Sequence, residues 1–213
     1  MCARFDIRLY SAIIAITKKI AMTITFDLDS VIFDINPLMA KAFDGSGQSY
    51  FYPTNWDMYK CYSFPIVNKM LELFADDELY NAPLIDKKIP QMLNSLMRRP
   101  NTDVLFVTQR VLKQPIKTFQ QLTNAGIHCN FSQIYDRHGA KSDILRDIKT
   151  DLHFDDSPIV VSGCIEKHVP IVMISNETTP YNYHLRGLVK HYENLRTAMI
   201  DMGLCDALNV PIK

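Results

Sequence analysis

Five short apolar runs, each ending in polar or acidic residues, constrain the fold of this chain more than any other feature. They are ITFDLD (24–29), DVLFVTQR (103–110), NFSQIYD (130–136), DLHFDD (151–156) and PIVMIS (170–175). Most are rich in β-branched and aromatic residues and almost continuously apolar, as strands buried on both faces must be. Between them lie stretches with helical spacing at 86–98, 113–125, 141–148 and 158–167, and Gly126 stands where the second of these needs a C′ residue. Residues 182–202 read as a terminal helix. Such alternation predicts an α/β fold, a doubly wound parallel Rossmann-like sheet with helices on both faces. At 213 residues and 47% hydrophobic content, the chain can bury one core of that kind.

One region breaks the alternation. Residues 34–83 hold YFYPTNWDMYKCYSF and then PIVNKMLELFADDELY, punctuated by Pro53 and Pro65, with Gly45 and Gly47 at the start. They are expected to form a small helical insertion over the strand ends, leaving 22–33 and 84–213 as the core. About half of its aromatics should build its own core, and Trp56 and Tyr59 are expected to face a pocket. The first 21 residues contain an apolar run, Leu9 to Ile16, between basic residues. That run is too short to span a bilayer, for which about 20 apolar residues are needed. An upstream extension and an ordered amphipathic helix both remain open for 1–21, and a soluble, cytoplasmic protein is expected in either case.

Composition narrows the partners. Lys plus Arg and Asp plus Glu number 23 each, so the basic excess of a general nucleic-acid-binding surface is missing. Five scattered cysteines without a CxxC pair fit a reducing compartment and neither a disulfide framework nor a zinc site. His128, His138, His153 and His168 show no metal-ligand spacing, and His153 is expected simply to pack in its strand.

The chemistry is expected at the strand ends, because ligands of such sheets bind beyond the carboxyl ends of the strands. Polar residues recur there: Asp27 and Asp29, Thr108, then Asp155 and Asp156. Folding alone gains nothing from two carboxylates at the tip of a buried strand, where like charges repel and desolvation is costly. A phosphate-handling metal site is one setting that uses both. The competing reading of Asp155 and Asp156 as helix caps before Pro158 is weakened by Ser157, which can cap the helix itself.

Taken in order, DLD, VLFVT, GAK and HFDD resemble the four motifs of the haloacid dehalogenase (HAD) superfamily of phosphohydrolases, over roughly residues 23–175. The resemblance implies a reaction split through an aspartyl-phosphate, with Asp27 as nucleophile and Asp29 as acid and base. It implies Mg²⁺, held by Asp27, the Asp29 backbone carbonyl, Asp155 and Asp156, with Asp156 as the direct ligand and Asp155 as a second ligand or an orienter. Thr108 would bond a phosphoryl oxygen, and Lys141 would neutralise the transferring group. Backbone N–H groups around Leu28 to Val31 would complete the cradle. Ser30 stands in the binding loop where Gly or Thr is frequent in the family. Arg110 would either reach a substrate phosphate or pair on the surface.

The segments FYPTNWDMY, DDELYNAPLIDKKIPQMLNSL and TDVLFVT are similar to the 5′(3′)-deoxyribonucleotidases and related phage proteins. That likeness implies a nucleoside monophosphate substrate stacked on cap aromatics. A phage origin would put the protein in a host cytoplasm, and a homodimer stays open. The other readings are a sugar phosphate or other small phosphomonoester, a 3′-phosphorylated nucleic-acid end, and a catalytically retired HAD-fold binding module.

Overall fold

The computed structural model describes residues 21–110, 114–136 and 139–205, so the expectations for residues 1–20 lie outside the described residues. Its strands are β1 (Met22–Phe26), β2 (Thr102–Thr108), β3 (Ile134–Asp136), β4 (Leu152–Asp155), β5 (Ile171–Ile174) and β6 (Lys190–Tyr192). They form one parallel sheet in the order β3-β2-β1-β4-β5-β6. The chain winds outward from β1 to β3, returns beside β1 with β4, and winds the other way. The order therefore reverses between β1 and β4, where open α/β sheets leave a crevice.

The helices are α1 (Asn36–Lys41), α2 (Phe64–Ala75), α3 (Ile89–Met97), α4 (Pro115–Asn124), α5 (Lys141–Asp147), α6 (Pro158–Glu166) and α7 (Leu195–Asp201). Side chains two apart on a strand share a face, and the two faces are covered by different helices. On one face Ile24, Phe26, Phe106, Phe154 and Val172 pack with Leu93 and Leu96 of α3 and with Ala198 and Met199 of α7. There the rings of Phe26 and Phe154 stack with centroids 5.0 Å apart. On the other face Val107, Ile171 and Met173 meet Leu145 of α5 and Val161 and Cys164 of α6. Each such fully buried side chain contributes about 1.5–3 kcal/mol. Helices α5 and α6 touch at Gly163, where an added Cβ would lie 2.6 Å from Ser142 Oγ.

Two expectations fail, each for a local reason. Residues 130–133 are not strand: the Asn130 and Gln133 side chains cap each other's backbone and wind a 3₁₀ turn, leaving β3 only three residues long. Residues 182–202 are not one helix. Pro180–Leu185 is a 3₁₀ segment, the chain then passes Gly187, and Lys190–Tyr192 adds β6 to the edge of the sheet before α7 begins. A helix would have had to run through that glycine at a cost of about 1 kcal/mol. The edge of β5 instead takes a parallel partner, and Ser175 N donates to Tyr192 O at 2.8 Å.

Residues 34–83 pack around a cluster of their own, with Leu38, Phe43, Tyr62, Ile66, Val67 and Met70 buried together. The chain leaves and returns side by side: Asp34 N donates to Pro83 O at 2.8 Å and Ile85 N to Ile32 O at 3.0 Å. Among the described residues no helix is long and apolar enough to cross a membrane. Among the described residues Cys61, Cys129 and Cys164 are free thiols.

Candidate active site

Parallel register brings the acidic strand ends together. Phe26 of β1 lies opposite Phe154 of β4, and Asp27 N continues the ladder by donating to Phe154 O at 2.9 Å. Asp27 and Asp155 thus emerge side by side at the switch point. One carboxylate oxygen from each of Asp27, Asp155 and Asp156 lies within 4.8 Å of the others, and all three residues are buried. Thr108, at the end of β2, is buried and lines the same cavity. Ser157 accepts from Val160 N and caps α6 in front of Pro158, so the two aspartates are not spent as caps.

Lys141 joins the strands. As the first residue of α5 it sits at the positive end of the helix dipole, a poor place for a cation on local grounds. Two carboxylates offset this: Nζ donates to Asp27 Oδ1 at 2.6 Å and to Asp155 Oδ2 at 2.9 Å. Gly139, with φ +108°, begins the loop before it, in backbone that side chains rarely adopt, and its carbonyl accepts from the Gln109 amide. Burial would lower the Lys141 pKa, but Asp155 and Asp27 outweigh it and hold the ammonium well above its usual range. Burial pushes Asp27 up to about 7; Lys141 opposes the shift, while Asp155 and Asp29 add to it. Burial, joined by repulsion from Asp155 and Asp27, drives Asp156 well above the ordinary carboxylate range. For Asp155 burial is outweighed by Lys141 and His153, which keep it low.

Three carboxylates around one ammonium leave the pocket short of positive charge. Hard oxygen donors in such an arrangement fit a divalent cation of the Mg²⁺ type. The three are not equivalent, however. Asp27 and Asp156 line the cavity, whereas Asp155 is enclosed behind them, with Oδ2 taken by Lys141 and His153 and Oδ1 accepting from Ser157 N. That geometry suits Asp155 to orienting and Asp27 with Asp156 to ligation.

The Asp29 side chain stands apart from the three clustered carboxylates. Its carboxylate is turned to Arg110, which donates from Nε at 3.0 Å and from Nη2 at 2.7 Å in a two-pronged contact. Arg110 is 4% exposed, so it pairs in the interior and not on the surface. Ser30 follows in left-handed backbone at φ 61°, which explains a position that favours glycine. Its N–H donates to Phe33 O at 2.8 Å, so of the N–H groups expected to cradle a phosphoryl oxygen over Leu28 to Val31 this one is spent within the loop.

A cavity of about 340 Å³ opens above these groups. Its far wall comes from the 34–83 segment: Ile35, Met39, Pro53, Trp56, Met58 and Phe74, with Asn36 as the polar member. Trp56 is there as expected, its ring edge-on to Tyr181 at 5.2 Å. Tyr59 is not. It stacks on Phe64 and donates to Asn68 Oδ1 at 3.2 Å, which turns it to the outside of the segment.

Sequence reasoning missed two residues that hold the carboxylates, His153 and Tyr181, and a third, Asn182, that holds the Asp156 backbone. His153 is wholly buried, with Nε2 2.8 Å from Asp155 Oδ2 and Nδ1 2.8 Å from Thr25 Oγ1. Burial keeps its pKa below the ordinary value, so the neutral ring donates from Nε2 to Asp155 and accepts from the Thr25 hydroxyl. The signal was present in two matching tripeptides, Thr25-Phe26-Asp27 and His153-Phe154-Asp155, which the register lays side by side. Tyr181 donates to Asp156 Oδ2, and Asn182 Nδ2 donates to Asp156 O at 2.8 Å. Both stand in the 3₁₀ segment Pro180–Leu185, and nothing local in the sequence marks them.

No family model and no curated protein matches the sequence. Solved structures do. A haloacid dehalogenase-like hydrolase from Streptococcus pneumoniae superposes with a TM-score of 0.57 at 18% identity, over 80% of this chain and 92% of that one. A protein from Clostridium difficile described as a phosphatase gives 0.56 at 16% identity, over 88% and 100%. A HAD-type hydrolase of Bacillus subtilis, solved with magnesium bound, gives 0.54 at 13% identity, over 87% and 100%. At these identities the likeness is one of architecture: the chain has the α/β fold of haloacid dehalogenase-like hydrolases.

Proposed function

We propose that the protein is a Mg²⁺-dependent phosphomonoester hydrolase that works through an aspartyl-phosphate on Asp27, with nucleoside 5′-monophosphates as its substrates. The observation that carries this reading is the convergence of Asp27, Lys141 and Asp156 at one cavity floor. Asp27 attacks phosphorus as the ester oxygen leaves, and Asp29, on the cavity wall, gives that oxygen its proton. A water then attacks the phosphoryl group, returns a proton to Asp29 and frees Asp27. Lys141 keeps Asp27 oriented and neutralises charge on the group in transfer, and Thr108 bonds a phosphoryl oxygen. Asp27 and Asp156 would hold the metal, which lets an anionic nucleophile approach an anionic ester. Asp155 anchors Lys141. The magnesium of the Bacillus subtilis hydrolase supports the choice of ion.

The apolar wall supports the substrate class. A planar base can lie against Trp56, where stacking contributes about 1–3 kcal/mol with little preference among bases. A sugar phosphate would leave its hydroxyls facing Met39, Met58 and Phe74 without partners. The test is phosphate release from a panel of deoxy- and ribonucleoside monophosphates, sugar phosphates and 3′-phosphorylated oligonucleotides, with and without EDTA. Release from nucleoside monophosphates that EDTA stops and Mg²⁺ restores is expected. Preference for a polyol phosphate would overturn the substrate class, and no release from any monoester in Mg²⁺ would return the protein to the binding-module reading.

A further inference from the structure

Buried arginines are rare unless fully paired, and the pairing of Arg110 says what it is for. It lies two residues past the end of β2. Its Nε and Nη2 grip both oxygens of Asp29, its Nη1 donates to Gln121 Oε1 at 2.8 Å, and its guanidinium carbon sits 5.0 Å from the centre of the Tyr80 ring. Gln121, from α4, is itself fixed: its Nε2 donates to Leu79 O at 3.3 Å. Leu79 and Tyr80 belong to the 3₁₀ turn Asp77–Asn81, on the arm by which the 34–83 segment returns to the core. A guanidinium held in this way from β2, α4 and the returning arm is not free to swing toward a substrate anion. What it controls is the direction of the Asp29 carboxylate, whose side chain is 22% exposed and faces the cavity.

We propose that Arg110 is a positioning residue for Asp29: it fixes the rotamer from which Asp29 exchanges a proton with the leaving oxygen, and Gln121 and Tyr80 lock it to the arm of the inserted segment. The inference rests on the hydrolase reading above. In the first half-reaction the bond from Asp27 to phosphorus forms, the bond from phosphorus to the ester oxygen breaks, and the proton of Asp29 goes to that oxygen. The carboxylate left behind matches the fork of Arg110. In the second, water adds to phosphorus, the bond to Asp27 breaks, and the proton from water returns to Asp29.

A proton donor matters for a poor leaving group and hardly for a good one, so a leaving-group series separates positioning from general damage. Arg110→Lys, which keeps the charge and loses the fork, is expected to lower kcat about 100-fold on nucleoside and alkyl phosphates and no more than about threefold on p-nitrophenyl phosphate, with KM nearly constant. Gln121→Met, which does not touch Asp29, should give the same pattern at smaller amplitude, and it carries the test if Arg110→Lys does not fold. An equal loss on every ester would overturn the proposal in favour of a structural role, and a rise in KM with kcat retained would show that Arg110 binds the substrate. A wild-type protein inert on all esters would overturn the hydrolase reading and this inference together, whereas an active wild type with uniform losses overturns the inference alone.

Discussion

The two walls of the cavity are built on different principles. The floor stands on strand ends, and its charged side chains are each held by named partners: Asp27 by Lys141, Asp155 by Lys141, His153 and Ser157, Asp156 by Tyr181, while Asn182 holds the Asp156 backbone carbonyl. The opposite wall belongs to a segment with its own small core, and it presents mostly apolar side chains, with Trp56 still 36% exposed. Electrostatic catalysis needs groups already oriented before the reaction, because reorienting them costs part of what they contribute. Apolar stacking has no such demand. On the proposed reading, the floor would set the chemistry and the far wall would choose the leaving group.

Substitutions on each wall should separate in kinetics if this division holds. Asp27→Asn should lower kcat roughly 10⁴- to 10⁶-fold, the scale on which loss of a nucleophile acts, while circular dichroism and thermal unfolding show an intact fold. Unchanged phosphatase activity would remove the floor from the mechanism. Tyr181→Phe tests a side chain that meets both walls, bonding Asp156 and packing against Trp56. It should raise the Mg²⁺ concentration for half-maximal rate about 10- to 100-fold and leave the contact with Trp56 in place. A change in nucleotide KM alone would instead assign Tyr181 to the far wall. Trp56→Ala should raise KM for nucleoside monophosphates about tenfold with kcat kept, and steady-state kinetics at saturating Mg²⁺ read this directly. The smallest effect belongs to Ser30→Gly. Relief of left-handed backbone, less the added freedom of the unfolded chain, should raise stability by about 0.5–1 kcal/mol, seen as a higher urea midpoint at unchanged slope.

The same contrast governs how much could be read in advance. The central strands declare themselves because a run buried on both faces must be apolar, and their acidic tips stand out because local folding has no use for them. Asp27 and Asp156 were therefore legible, Thr108 and Lys141 gained their roles only from the resemblance to the four motifs, and the structure brings all four to one cavity. Edge strand β6 was not, since exposed Lys190 and His191 erase the apolar signal there. The partners of the carboxylates were hidden for another reason. Thr25 meets His153 across 128 positions, and Tyr181 reaches Asp156 across 25, so only the assembled sheet reveals them. Tyr59 and Trp56 look alike in sequence, and only Phe64, which captures Tyr59, tells them apart.

Residues 34 and 83 are joined by a direct backbone hydrogen bond, and a second one ties 32 to 85. Ends so close make the intervening fifty residues a closed loop in their own right, whose length weighs only logarithmically on the rest of the chain. In the proposed hydrolase, variation there away from Leu79 and Tyr80, which brace Arg110, would reshape which alcohol is accepted without retuning the acidic groups beneath it. The reaction and its clientele can in this way follow separate histories within one polypeptide.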